Sequence, residues 1–339
     1  MGKANIAIIG IGRIGKVHLK NILRNLPAAN LVAVADNHYP PEDFRKEFPG
    51  IIFSSDPAEV VALPNVDAVI ICTPTSSHAD MIDLAVRSGK HLFCEKPVDL
   101  SLKRTKALVD SAKAAGVKMM LGFNRRFDPD FMQARQSIQA GRIGDIQIVK
   151  ITSRDPGLPP LDYIKNSGGL FMDMAIHDFD MARYLMGKEV KEVYARGLVL
   201  VDKQVGEAGD IDTALTTLLF EDGTYAVIDN SRKAVYGYDQ RIEVFGSKGM
   251  INVENSLNNR NVISDAEGIH YALLLDFFME RYAASYLKEM QHFLEALINN
   301  SPLPVSGEDG LKAAVIAMAA KKSADTGRPV AISEITAEL

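Results

Sequence analysis

The chain has 339 residues, which at roughly 100–200 residues per domain predicts two domains and three at most. Hydrophobic residues make up 47% and charged residues 24%, a composition that excludes a disordered chain. The 38 Lys and Arg against 43 Asp and Glu give a formal net charge of -5, so no global basic excess points to nucleic acid or to an anionic membrane.

The two cysteines, Cys72 and Cys94, are too few for a disulfide framework and are not spaced for a metal site. No metal is expected. Nothing at the start reads as a secretory signal, and no apolar run approaches the ~20 residues that span a bilayer. The expectation is a cytoplasmic protein with reduced thiols.

In chain order, short apolar runs at 6–9, 31–35, 68–72, 91–94 and 118–121 read as buried strands. Amphipathic stretches at 14–26, 78–88 and 102–115 separate most of them. This alternation predicts βαβ units and a doubly wound α/β domain with a parallel sheet over residues 1–123. After Gly122 the period changes. A helix near 128–140 leads into strand-like runs at 146–153, 190–201, 213–220, 224–231 and 240–245. Glu221-Asp222-Gly223 reads as a hairpin turn. Consecutive strands joined by short turns predict an α+β domain over 124–339 with an open, mostly antiparallel sheet. One helix is expected over 170–185, and two close the chain near 282–299 and 308–326.

Gly10-Ile11-Gly12-Arg13-Ile14-Gly15 is a GxGxxG between a predicted strand and a predicted helix. Its glycines allow a tight turn, close approach of pyrophosphate, and close helix–strand packing. Asp36 ends the second strand, 21 residues after Gly15, where a carboxylate can accept from ribose hydroxyls. A carboxylate repels a 2′-phosphate, and Asn37 and His38 follow it rather than Arg. NAD is therefore the expected cofactor. Thr73, Pro74, Thr75 and His78 follow the fourth strand, at the sheet edge that faces ligand. His78 also fits a plain polar helix start.

Glu95-Lys96-Pro97 follows the fifth strand. Lys96 can share its proton with a reacting oxygen, although a surface ion pair would look the same. In a helix over 170–185, Asp173, His177 and Asp180 fall on one face and Asp178 points elsewhere. Such a polar stripe in an apolar helix is costly to bury without purpose, and His is suited to proton exchange near neutral pH. A structural histidine, or a metal shared by Asp and His, remains an alternative at this point.

The glycine motif, Glu95-Lys96-Pro97, and Asp173 with His177 together resemble the Gfo/Idh/MocA family of NAD(P)-dependent oxidoreductases, in order and over essentially the whole chain. Residues 153–160, 167–171 and 236–241 resemble its inositol dehydrogenase branch. The resemblance implies a Rossmann domain, an α+β domain that often assembles as a homotetramer through its sheet, and oxidation of myo-inositol to 2-keto-myo-inositol (scyllo-inosose) with NAD. It implies Lys96, Asp173 and His177 as the catalytic set. Gly10, Gly12, Arg13, Ile14, Gly15, Asp36, Thr73, Pro74, Thr75, His78, Glu95 and Lys96 would bind cofactor. Arg126, Asp155, Asp180 and Tyr236 would join the catalytic set in holding the polyol. Other expectations are a scyllo-inositol or aldose dehydrogenase, an NAD-dependent glycosidase, or a catalytically silent NAD sensor.

Overall fold

The computed structural model describes residues 2–339. The chain divides into two compact units. The first runs to Asn124 and also takes in Ser285–Lys312; the second comprises Arg125–Ala284 and Ala313–Glu338.

The first unit is built on six strands: β1 (Ala4–Ile9), β2 (Ala29–Ala35), β3 (Ile52–Ser54), β4 (Ala68–Ile71), β5 (His91–Cys94) and β6 (Met119–Leu121). They lie in the order β3-β2-β1-β4-β5-β6, and every neighbouring pair is parallel. This is the doubly wound order whose direction of winding reverses between β1 and β4, the place where such sheets take ligands. β4 reads Ala-Val-Ile-Ile and is buried throughout, as a strand covered on both faces must be. β3 escapes sequence analysis because it is three residues long, lies at the edge, and carries Ile52 at 48% exposure.

Residues 124–339 read as one domain from the sequence, but Ser285–Lys312 packs with the first unit. The reason is the apolar stripe of the helix Ala283–Ile298, on which Tyr286, Met290, Phe293 and Leu294 are buried. Phe293 meets Phe93 of β5 at 6.0 Å between ring centroids. Lys118 Nζ donates to Ser301 O at 2.6 Å, just ahead of β6.

The second unit carries β7 (Ile146–Arg154), β8 (Val190–Leu198), β9 (Thr213–Phe220), β10 (Tyr225–Ser231), β11 (Asp239–Gly246) and β12 (Gly249–Val253). The hairpin β13 (Val262–Asp265) and β14 (Gly268–Tyr271) stands apart, and β15 (Val330–Ala331) completes the main sheet. The order is β12-β11-β7-β10-β9-β8-β15, with β7–β10 the one parallel pair and the remaining pairs antiparallel. β9 and β10 are joined at the expected Asp-Gly turn, where Gly223 adopts φ +86.

Alternation on β7 sends Val149, Ile151 and Ser153 inward, where the helix Ile176–Met186 packs against the strand. Side chains on the opposite face are half-buried or exposed. One register row there runs Met250, Phe245, Ile148, Tyr225 and Leu219 across five strands. The first four are 50%, 43%, 38% and 46% exposed, which leaves a continuous apolar band without cover in the chain.

Phe293→Ala should cost about 3–5 kcal/mol, the usual range for deleting a buried aromatic ring. Circular dichroism melting of the purified variant should show a clear fall in thermal midpoint; an unchanged midpoint would mean that Ser285–Lys312 does not stabilise the first unit.

Candidate active site

In the first unit, two loops flank the switch point. After β1, Gly10 takes φ +88 and donates its N–H to Ala35 O at 2.8 Å. A side chain on Gly15 would begin 2.0 Å from Gly10 O, so only glycine lets the helix Arg13–Asn25 come this close to the strand end. Gly12 has another reason to be glycine. Its φ is −64, which any residue adopts, and nothing lies within 4 Å of where its Cβ would be. Neither backbone angle nor protein packing asks for glycine there, whereas close approach of a ligand does. The helix start at Gly12 has no side-chain cap, and neither has the helix Thr75–Arg87 behind Pro74. Both N-termini thus keep N–H groups and dipole ends for an anion.

Asp36 is already oriented. Its Oδ2 accepts from Ile11 N, and its Oδ1 accepts from His38 N and Tyr39 N, each at 2.8 Å. A carboxylate offers about four acceptor sites, so capacity is left for a ribose hydroxyl. Thr73 Oγ1 is buried without a hydrogen-bond partner among the described residues. An open glycine cradle, two uncapped helix starts, an oriented carboxylate and an orphaned hydroxyl suit the dinucleotide the sequence implies. Arg13 and Ile14 open the same helix; Arg13 is exposed and Ile14 half-buried.

His78 is 2% exposed. Its Nδ1 lies 2.7 Å from Pro97 O and its Nε2 2.8 Å from Thr73 O. Burial lowers its pKa, and a neutral ring has one N–H for these two acceptors. The side chain lies between the β4 loop and the turn that holds Lys96, and its one N–H donates to one of these two carbonyls. Glu95 follows β5 and lies 3.1 Å from His18 Nε2. His18, Cys72 and Glu95 place donor atoms of metal-binding type within 4.8 Å of one another; the His18–Glu95 hydrogen bond accounts for two of the three.

In the second unit, the expected single helix over 170–185 is two, Gly169–Asp173 and Ile176–Met186, with Met174 and Ala175 between them. Asp173 ends the first and His177 lies in the first turn of the second, and both are half-buried. Tyr163, on the helix Leu161–Asn166, donates its hydroxyl to Asp173 Oδ1 at 2.7 Å. Burial, then Asp173, raises the Tyr163 pKa, so the phenol remains a donor. Arg232, 1% exposed, reaches Asp173 Oδ2 and Asp210 Oδ2 at 3.4 Å each. Asp210 Oδ1 in turn accepts from Leu170 N at 3.0 Å. Asp173 is therefore held on both oxygens. Sequence reasoning missed Tyr163, Arg232 and Asp210, which lie 10, 59 and 37 positions from Asp173 with no periodic relation to it.

Three expected polyol ligands are used otherwise. Asp180 is 1% exposed and forms a two-point pair with Arg126, Nε to Oδ2 at 2.8 Å and Nη2 to Oδ1 at 2.5 Å. A carboxylate this deeply buried needs such a partner. The kink at 174–175 breaks the simple face that the 3.6-residue period assigns to Asp180. The Tyr236 hydroxyl donates to Asp239 Oδ2 at 2.7 Å and accepts from Arg154 Nη1 at 3.0 Å. Asp178, which the sequence set aside, is 0% exposed and anchors Arg125 at 2.5 Å and Asn230 at 2.8 Å. Asp155, the fourth expected polyol ligand, lies within electrostatic reach of Arg232 and Asp173. Burial pushes its carboxyl from 3.8 up to about 6, against the pull of Arg232 and with help from Asp173.

Comparison with known proteins agrees with both halves. Residues 4–123 match the model of the NAD-binding Rossmann fold of the Gfo/Idh/MocA oxidoreductase family, and residues 135–332 match that of its C-terminal alpha/beta domain. A Thermotoga maritima protein named myo-inositol 2-dehydrogenase is 47% identical over 97% of this chain and 99% of its own. An inositol 2-dehydrogenase of Rhizobium meliloti is 47% identical over 96% of this chain and 98% of its own. The crystal structure of scyllo-inositol dehydrogenase from Lactobacillus casei, with bound NAD(H) and scyllo-inositol, superposes with a TM-score of 0.90 at 33% identity, covering 98% of this chain and 99% of that one.

Gly12→Val should leave the melting temperature without cofactor unchanged, since no protein atom is in the way, and weaken NAD binding about tenfold or more, or at least 1.4 kcal/mol. Fluorescence titration with NADH checks this, and unaltered affinity would remove Gly12 from the cofactor site. Asp155→Asn tests the raised carboxyl. A pKa above its unfolded value gives stability that is full below the unfolded pKa and lost as pH rises through the folded one. Between about pH 4 and 6 the wild type should therefore lose stability relative to Asp155→Asn. Thermal midpoints measured across that range should diverge; a constant offset would contradict the raised value.

Proposed function

The chain belongs to the Gfo/Idh/MocA oxidoreductase family, and on that premise we propose that it oxidises one ring hydroxyl of an inositol with NAD, taking myo-inositol to scyllo-inosose. The observation that carries this reading is the end-to-end 47% identity to the Thermotoga maritima protein named myo-inositol 2-dehydrogenase. Lys96, Asp173 and His177 are all present.

His177 takes the proton of the reacting hydroxyl. Asp173, held by Tyr163 and Arg232, orients the imidazole and offsets the charge it acquires. Lys96 hydrogen-bonds the reacting oxygen as it becomes a carbonyl. Asp155 accepts from another ring hydroxyl. The glycine loop with Arg13 and Ile14, Asp36 and the residues from Thr73 to Thr75 hold the cofactor, and Asp36 selects NAD over NADP by repelling a 2′-phosphate. Bound NAD supplies the acceptor for the hydride that leaves the ring carbon. A polyol suits this chemistry because each misplaced hydroxyl of a wrong isomer leaves buried polar groups unpaired. scyllo-Inositol is the competing substrate, since the Lactobacillus casei neighbour is named for it.

The exposed row of Met250, Phe245, Ile148 and Tyr225 supports assembly as a homotetramer through the second sheet. A contiguous apolar band of this kind is unusual on a monomer. Opposite charges flank it: Lys150 pairs with Glu243 at 2.9 Å in the next row.

Initial rates with a panel of inositol isomers, aldoses and sugar phosphates, each with NAD and NADP, test the substrate; the highest kcat/KM on a sugar phosphate would overturn it. His177→Ala should lower turnover by about 10²–10⁴, the usual contribution of a positioned base, with NAD affinity and melting temperature retained. Normal turnover in the folded variant would exclude His177. Ile148→Asp places a charge in the apolar band and should shift the mass from light scattering below the wild-type value; an unchanged mass would place the interface elsewhere.

A further inference from the structure

The end of β5 lies over a buried set of titratable groups in the first unit. His18 comes from the helix that follows the glycine loop, Glu95 from the strand terminus, and Glu289 from the helix Ala283–Ile298. His18 and Glu289 are both 0% exposed. His18 Nε2 lies 3.1 Å from Glu95 Oε1 and 4.0 Å from Glu289 Oε1. The shorter contact is a hydrogen bond, and because a carboxylate only accepts, the imidazole must carry a proton on Nε2. Both oxygens of Glu289 are buried and accept no hydrogen bond among the described residues.

An ionised carboxylate with no donor is the costliest state a buried Glu can have. Burial, and then the nearby Glu95, push the Glu289 carboxyl well above its usual range. Glu289 is accordingly a neutral acid, and the hydrogen bond from His18 goes to Glu95. This division has a use. An anion 4.0 Å from the same imidazole would compete with Glu95 for its one donor, and a protonated carboxyl does not. On its other side, Glu95 Oε2 lies 2.7 Å from where a Cβ on Gly122 would be, so the missing side chain makes room for it. Glu95 is thus gripped between His18 and the Gly122 backbone, and the next residue is Lys96.

We propose that His18 and Glu289 are positioning residues: an Nε2-protonated imidazole backed by a neutral carboxyl fixes Glu95, and so sets where the Glu95-Lys96-Pro97 turn presents Lys96. The proposal rests on the assignment of Lys96 to the acid–base set. His18 lies three residues beyond Gly15. One hydrogen bond therefore ties the cofactor helix to the turn that carries the lysine.

Full-length His18→Gln, His18→Leu, Glu289→Gln and Lys96→Ala variants test it. Gln can donate an amide N–H towards Glu95, whereas Leu fills comparable space with no donor. His18→Leu should lower kcat about tenfold, the scale of one charge-assisted hydrogen bond, with KM for NAD little changed, and His18→Gln should recover most of the loss. Equal kcat in the two variants, or a loss carried wholly by KM for NAD, would overturn the clamp. Lys96→Ala is assayed alongside. If it retains turnover, the acid–base reading fails and the clamp loses its object; if it loses turnover while the His18 variants behave alike, the clamp alone fails. Infrared difference spectra of wild type minus Glu289→Gln need neither turnover nor a folded His18→Leu. Loss of a protonated-carboxyl band is expected, and loss of a carboxylate band instead would overturn the neutral Glu289.

Discussion

In the first unit the carbonyl of Gly10 lies directly against the bare backbone of Gly15. With 2.0 Å between that oxygen and any Cβ on residue 15, the helix Arg13–Asn25 meets β1 only through bare backbone. Much follows from that proximity. It aims the uncapped helix N-terminus along the ligand edge of the sheet, and it brings the loop within reach of Asp36, which takes Ile11 N–H. It also carries His18 down to the end of β5. The cofactor loop and the Lys96 turn are therefore parts of one packed arrangement.

In the second unit the controlling constraint is the cost of buried charge. The core beneath the sheet is not purely apolar: Ser153, Asn230 and Gln240 on β7, β10 and β11, and Asp178 on the helix Ile176–Met186, are all buried. Each is tolerated because it is paired, Asp178 to Arg125 and Asn230, Ser153 to Gln240. The same rule explains Arg126 with Asp180. These pairs stabilise the scaffold and are poor candidates for holding substrate, since breaking one leaves an uncompensated buried charge. Asp173 and Asp155 differ from them. Asp173 is held by Arg232 at 3.4 Å and by the Tyr163 hydroxyl at 2.7 Å, and burial raises the Asp155 carboxyl to about 6.

The elements that the sequence showed most clearly are those whose physics is local. The buried strands of the first sheet, the glycine loop, the carboxylate ending β2 and the Asp-Gly turn at 221–223 all depend on neighbours within a few positions or on a regular period. The short edge strand β3 and the paired β15 were not legible, because neither carries a run of buried apolar residues as β6 does: β3 is exposed or half-buried throughout and β15 has only two residues. The break at Met174–Ala175 was invisible for a related reason: its residues are good helix formers, and packing overrides their preference.

By itself the sequence determined the two fold classes, the dinucleotide fingerprint and the presence of Lys96, Asp173 and His177, because these rest on composition, period and spacing. Only the tertiary structure decided which polar residues are already committed. Asp180 to Arg126, Tyr236 to Asp239 and Arg154, and His78 to two backbone carbonyls are pairings across 54, 3 and 82, and 19 and 5 positions. It also recruited Tyr163, Arg232 and Asp210 to Asp173, and returned Glu289 to the first unit behind Glu95. A buried polar group is satisfied by whatever the fold brings to it, and that partner has no fixed distance along the chain.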